Sequence, residues 1–300
     1  MMNSESGWLV SALIALLIVT APPVSAEEQT LPLWEVEGER NRIFLLGSIH
    51  LLREKDHPLP EAIYVAYDEA ETLIMELDMD DIDPVATQKM TSELGLIENG
   101  GKLSDLLGRK IYAEATALAE RADIPLHLLD RAEPWFAAMN VEMMLLMRMG
   151  FDPSLGVESH FMERATGDGK EIEGLETMRQ QLGFLDGLSA QAQQEMLLQA
   201  LAEGPELPEM MDNMIDAWKI GDIRFMEEGV LSEMEQYPEL NQVIVVNRNN
   251  TWAQQIEALL DDDDDYLIIV GTLHLIGAGG VPNLLSALGH TVTQMHQSAN

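Results

Sequence analysis

Two histidines stand in the same local pattern at opposite ends of the chain. Gly47-Ser48-Ile49-His50 and Gly271-Thr272-Leu273-His274 both run Gly, small hydroxyl residue, aliphatic residue, His. Neutral imidazole is the commonest protein ligand for zinc-like metals and the usual proton shuttle near neutral pH. One G-x-x-H carries little information, but two in equivalent settings point to histidines that meet in one site. Glu76 adds a carboxylate, the only charge within Leu73-Ile74-Met75-Glu76-Leu77. A carboxylate in so apolar a run must be hydrogen-bonded, ion-paired or metal-bound, because burying it alone is costly. Two His and one carboxylate suit a catalytic divalent metal (Zn, Mn or Co) with an open coordination position. Pairing of Glu76 with an arginine is the structural alternative.

Arg248, beside Asn249, is suited to neutralise a buried carboxylate or to hold a substrate oxyanion, and equally to an ordinary surface role. Glu158 and Glu176 lie in or near apolar helical settings and are candidates for a general base or for capping. Glu176, with Gln180 and Gln181 after it, could line the site. Gly47, Ser48, Gly271 and Thr272 form the strand ends where backbone and cofactor would come close, since glycine admits a close approach.

The elements that would position these groups repeat as well. Arg42 to Gly47 and Tyr266 to Gly271 are aliphatic runs that read as buried strands. Each is followed by its G-x-x-H turn, a loop, a helical stretch (about Glu61 to Ala70; about Pro282 to Leu288) and another strand (Thr72 to Asp78; Thr291 to Met295). A repeat of whole units is a stronger signal than either tetrapeptide. The histidines fall just beyond the carboxyl ends of strands, where open α/β sheets bind ligands. The fold expected is therefore α/β (α+β): two related strand–GxxH–loop–helix–strand halves forming a central sheet. Pro125 to Asp130 and Lys170 to Glu173 read as further short strands, and Asn241 to Leu260 as one long amphipathic helix. Residues 133–239 read as a helical insertion or cap. It opens with a Met-rich helix carrying Met139, Met143, Met144, Met147 and Met149, expected as core filler or a soft cap surface.

Of the 300 residues, 46% are hydrophobic, so there is ample material for a core. A formal charge of −35 argues against nucleic acid and anionic lipid as partners. There is no cysteine, which excludes thiolate ligands, Cys nucleophiles and disulfides. Trp8 to Thr20 is an apolar run of signal-peptide length, followed by Val24-Ser25-Ala26 as a cleavage site, although no Lys or Arg precedes it. Residues 1–26 are therefore expected to be a signal peptide and 27–300 one exported domain, periplasmic or secreted, with no stable membrane insertion after cleavage. Gly277-Ala278-Gly279-Gly280 lacks a dinucleotide-binding spacing, and no G-x-S-x-G or H-E-x-x-H is present.

Taken together, these residues resemble the TraB/GumN family, which also includes the Tiki proteins. The resemblance rests on Leu46 to Leu51, Ile74 to Asp78, Glu133-Pro134-Trp135, Gly156-Val157-Glu158, Leu175-Glu176-Thr177, Asn247-Arg248-Asn249 and Val270 to Leu275. It implies an α/β fold of two halves around paired G-x-x-H motifs, distantly similar to erythromycin-esterase and ChaN-like haem-binding proteins. The Tiki branch is described as divalent-metal-dependent proteases. Carried over, His50, Glu76 and His274 would form the metal or catalytic centre, with Arg248 auxiliary. The expected function is an exported metal-dependent hydrolase of peptide or small-molecule substrates. The alternatives are a non-catalytic protein holding haem or another small ligand, and a metal-free His/Glu esterase.

Overall fold

The computed structural model describes residues 30–204 and 207–296. The expected signal segment lies outside the described residues. Six strands form one mixed sheet: β1 (Thr30–Glu37), β2 (Arg42–Ser48), β3 (Thr72–Leu77), β4 (Glu171–Glu176), β5 (Tyr266–Gly271) and β6 (Thr291–His296), in the order β4-β3-β5-β2-β1-β6. β4, β3, β5 and β2 run parallel, and β1 is antiparallel to both β2 and β6. The central strands β2 and β5 are buried almost throughout, as an aliphatic strand covered on both faces must be. The edges carry the polar residues: Glu171, Glu173 and Glu176 on β4, and Thr291, Thr293 and Gln294 on β6. Charged and polar side chains on an edge discourage pairing with another chain.

The two expected halves are present, and their relation is specific. β2 and β5 are parallel neighbours, but Ser48, not Gly47, stands opposite Gly271. This one-residue offset turns equivalent side chains of the two copies to opposite faces of the sheet. The connections diverge too. From β2 the chain passes through helix Glu61–Glu69 to β3, on one side of the pair. From β5 it passes through helix Val281–Leu288 to β6, on the other side. The β2/β5 junction is thus the point where the strand order switches direction, and ligands bind beyond the strand ends at such points.

A second apolar cluster lies apart from the sheet core. It joins residues of helices Leu103–Arg121, Pro134–Arg148 and Ala190–Glu203, among them Leu107, Ala115, Val141, Leu145 and Leu197. The helical region therefore begins well before residue 133. The range 133–239 in turn includes β4 and helix Val157–Asp168, which pack with the sheet. Two further expectations need correcting. Pro125 to Asp130 is not a strand; Leu126–Leu129 forms a 3-10 turn that buries Leu126 and Leu129 in the helical cluster, the three-residue spacing of such a turn. The helix expected from Asn241 begins at Pro238 and continues to Leu259, with a π-helical stretch at Gln242–Val246. Of the five methionines, Met139, Met143 and Met147 are exposed and make a soft outer surface, while Met144 and Met149 pack against the two apolar clusters as filler. Among the described residues no helix is long and apolar enough to cross a membrane.

Candidate functional site

Both histidines leave their strands at the β2/β5 junction. Thr272–His274 forms a single 3-10 turn after β5, and His50 follows β2 by two residues. Three hydrogen bonds fix this junction. Thr272 Oγ1 donates to the Ser48 carbonyl at 2.9 Å, Trp218 Nε1 donates to the Gly47 carbonyl at 2.7 Å, and the Gly271 amide donates to Glu76 Oε1 at 2.9 Å. Gly271 marks where the groups meet. A β-carbon on it would stand 3.4 Å from Glu76 Oε1, 3.4 Å from His50 Nε2 and 3.6 Å from His274 Cδ2. His50, Glu76 and His274 are therefore brought together as the spacing suggested.

Arg248 is the cation at the centre. It lies on the buried stripe of helix Asn247–Leu259, with Trp252 and Ile256 one and two turns on. Its Nη2 donates to Glu76 Oε2 at 2.6 Å and to Glu176 Oε2 at 2.9 Å, and its Nε to Glu176 Oε1 at 2.9 Å. Its Nη1 stands 3.1 Å from His274 Nε2. The guanidinium also stacks on the Trp252 ring, 4.5 Å from its centroid. Glu76 thus has an arginine partner, and Gln181 Nε2 adds a donor at 2.9 Å. Gln180 instead closes a capping box with Thr177.

Each histidine is oriented through Nδ1, by different means. His50 Nδ1 stands 2.7 Å from Glu158 Oε1, which also accepts from the Ser48 hydroxyl. His274 Nδ1 stands 2.6 Å from Asn249 Oδ1. The Asn249 amide nitrogen donates to the Gly279 carbonyl at 2.8 Å, so its oxygen must face the ring. His274 therefore carries its proton on Nδ1, and its Nε2 lone pair accepts from Arg248. Gly156, just before Glu158's helix, lies against the His50 carbonyl with no room for a β-carbon, which keeps Glu158 beside the ring.

The charges follow from these partners. Glu158 raises His50 to about 9 against the opposing effect of burial. The His50 side chain is 58% exposed, but it sits at the floor of a depression crowded by protein, so the direction holds while its size is softened by solvent. Burial lowers His274 to about 3, outweighing the attraction of Glu76. For Glu76, burial pushes upward, but the charges of His274, His50 and Arg248 and the Gly271 amide outweigh it and hold the group at about 2. Because His274 is neutral above about pH 3, Arg248 and His50 supply that stabilisation near neutrality. Burial pushes Glu176 up despite its bonds to Arg248.

Among the candidates for a base, Glu176 is thus committed to Arg248, whereas Glu158 belongs to His50. Asn249 and Trp252 were not assigned roles from the sequence. Their signal is an asparagine and a tryptophan on the buried stripe of the helix that carries Arg248. For a divalent metal, the donor types fit: two imidazoles held through Nδ1 by an oxygen, and an ionised carboxylate, with binding displacing the His50 proton and the Arg248 contact to His274 Nε2. The spacing is wider. His274 Nε2 and Glu76 Oε1 are 4.0 Å apart, and among the described residues no three His, Asp or Glu side chains stand at ligand spacing.

A family model described as TraB/PrgY/gumN matches residues 32–294. The chain belongs to this family. It is 22% identical to the Escherichia coli (strain K12) protein YbaP over 270 residues, 85% of this chain and 92% of that protein. It is 26% identical to a Treponema pallidum protein over 171 residues, 56% of this chain and half of that protein's length. Both relatives are described as uncharacterized. No solved structure matches.

Proposed function

We propose that this protein is an exported hydrolase of carboxylic ester or amide bonds, with a divalent metal held by His50, Glu76 and His274. The observation that carries the proposal is the convergence of two Nδ1-anchored imidazoles and an ionised carboxylate at one switch point of the sheet. When bound, a metal there would lower the pKa of a water and polarise a carbonyl. The chain's own groups do the rest. Glu158 orients His50 and Asn249 sets the His274 tautomer. Both contacts of Glu158 fall on Oε1, so Oε2 is the oxygen that would take the water's proton. The water oxygen joins the carbonyl carbon, the bond to the leaving group breaks, and the proton passes to the leaving group. Arg248, on the cavity wall, keeps Glu76 anionic, and its Nη1 would turn to a developing oxyanion once metal binding took His274 Nε2 from it.

One observation favours a second, metal-free hydrolase: Arg248 Nη1 already donates to His274 Nε2 and Nη2 to Glu76. In that form ionised His50 would donate the proton to the leaving group. Metal analysis of gently purified wild type beside Glu76→Ala separates the two. About one ion per chain, lost in the variant together with ester or peptide hydrolysis, supports the metal enzyme. Full hydrolysis after exhaustive chelation supports the metal-free one. No hydrolysis with any loaded ion would sink both. Export belongs to the proposal, and the amino-terminal residue of protein recovered from the periplasm tests it against cleavage after Ala26.

A further inference from the structure

His50 and Glu76 form a wall shared by two cavities, one of mixed lining and one mostly apolar. On one side is a cleft of about 260 Å³ with a mixed lining, Glu158, Ser159 and Gln181 beside Met75, Leu77 and Met79. On the other is a cavity of about 330 Å³ bounded by Leu51, Met211, Met214, Met226, Val230 and Ile244, with Arg248 and His274 at its reactive end. Val230 and Ile244 also border a further, mostly apolar space of about 300 Å³, so the apolar lining continues away from the site. The methionines here come from helices Leu207–Ile220 and Ile223–Met226, not from the Met-rich helix Pro134–Arg148. Unbranched, polarisable methionine side chains adapt to flexible hydrocarbon.

We infer that the substrate is an acyl ester or amide with an unbranched alkyl arm, held with the arm in the methionine-lined cavity, the carbonyl against His50 and Glu76, and the polar leaving group in the cleft. This rests on the hydrolase proposed above and names its substrate class. Size admits an alkyl chain of up to about ten groups, and the unbranched methionines favour flexible hydrocarbon over a rigid ring. At about 30 Å³ for each small group, 330 Å³ holds roughly ten, well beyond the four carbons of a leucine side chain. Polarity selects the direction, because beside the shared Glu76 the cleft adds Glu158, Ser159 and Gln181, whereas away from its reactive end the other cavity is walled by apolar side chains. The far space is rimmed by Glu142 and Glu233, so an arm ending in a carboxylate is disfavoured and a neutral one accepted.

The test uses the full chain loaded with Zn, Mn or Co and the 4-nitrophenyl esters of acetate, butyrate and octanoate. Each buried methylene adds favourable transfer energy, so kcat/KM should rise by at least about tenfold from acetate to octanoate. Val230→Trp and Met214→Trp, which fill the cavity from two helices, should flatten the series, cutting octanoate hydrolysis at least about tenfold relative to acetate. A flat or falling series in the wild type overturns the inference, as does a rise that survives in both variants or a faster leucyl than octanoyl 4-nitroanilide. The neutral fluorophore N-phenyl-1-naphthylamine, displaced by 1-decanol, reads the cavity without catalysis. If it binds the wild type but neither variant while no ester is hydrolysed, the alkyl site stands and the hydrolase fails. If esters are hydrolysed without chain preference and the fluorophore is not bound, the hydrolase stands and the alkyl site fails.

Discussion

His50 and His274 occupy equivalent positions in two copies of one strand–turn unit, and they finish in opposite states. His50 is solvent-facing, backed by a carboxylate, and raised to about 9. His274 is buried, backed by a neutral amide, and lowered to about 3. Near neutral pH one is a cation and the other a lone-pair acceptor. The turn sequence decides where each ring sits. A residue from elsewhere in the chain, Glu158 or Asn249, decides what the ring is. A duplicated motif thereby yields two different chemical tools a few ångströms apart.

The largest effect on this contrast should come from Arg248→Met. It leaves Glu76 and Glu176 buried without their cation, at a cost of about 3–5 kcal/mol, read as a lower urea midpoint. Beside an unpaired Glu76, His274 should also regain affinity for a proton, visible in its ring resonances. Arg248→Lys should recover only part of the stability, since an ammonium cannot reproduce the forked contacts. Unchanged stability in Arg248→Met would mean that Arg248 does not organise the site.

Asn249→Asp tests whether the amide keeps the histidines different. It gives His274 the kind of partner His50 has, and in chelator-treated protein its ring should titrate higher by roughly 1–3 units. If the resonance stays put, burial alone sets the state of His274. The converse change, Glu158→Gln, should lower His50 from about 9 toward the 6.5 of an unperturbed imidazole. Persistence near 9 would remove Glu158 as the cause.

The smallest and most general consequence is in the pH dependence of stability. His50 binds its proton more tightly folded than unfolded, so its contribution is complete below about pH 6.5 and lost as pH rises through about 9. His274 holds its proton less tightly when folded, so its contribution is present above about 6.5 and lost as pH falls toward 3. Glu76 adds a loss below about 4.5, continuing through about 2. Urea midpoints across this range should fall at both ends, with the alkaline fall absent in Glu158→Gln. A flat alkaline limb in the wild type would contradict the raised His50. That limb should be the shallower one, because His50 is the more exposed.

Much of this could be read along the chain. The paired strands, both G-x-x-H turns and the isolated charge in β3 depend on short unbroken aliphatic runs and on the rarity of unpaired charge within them. Arg248 and Asn249 were visible as polar residues on the stripe of an amphipathic helix, though nothing local told whether Arg248 faced solvent or core. Pro125 to Asp130 was misread because a short apolar run fits a buried strand and a 3-10 turn equally well, and only its neighbours in the helical cluster decide. The beginning of that cluster was missed for a related reason. Helices that share a core in space show no common boundary in the sequence.

The sequence by itself determined which side chains could do chemistry and that two equivalent turns would carry them. These follow from residue type and short-range periodicity, which survive without knowledge of the fold. The tertiary structure alone decided the one-residue offset of β2 against β5, the pairing of Glu158 with His50 and of Asn249 with His274, and the seating of Arg248 between two carboxylates. Partners separated by 25 to 172 residues meet there only through packing. Burial and counter-charge set protonation, and both are properties of the folded surroundings, not of the residues themselves.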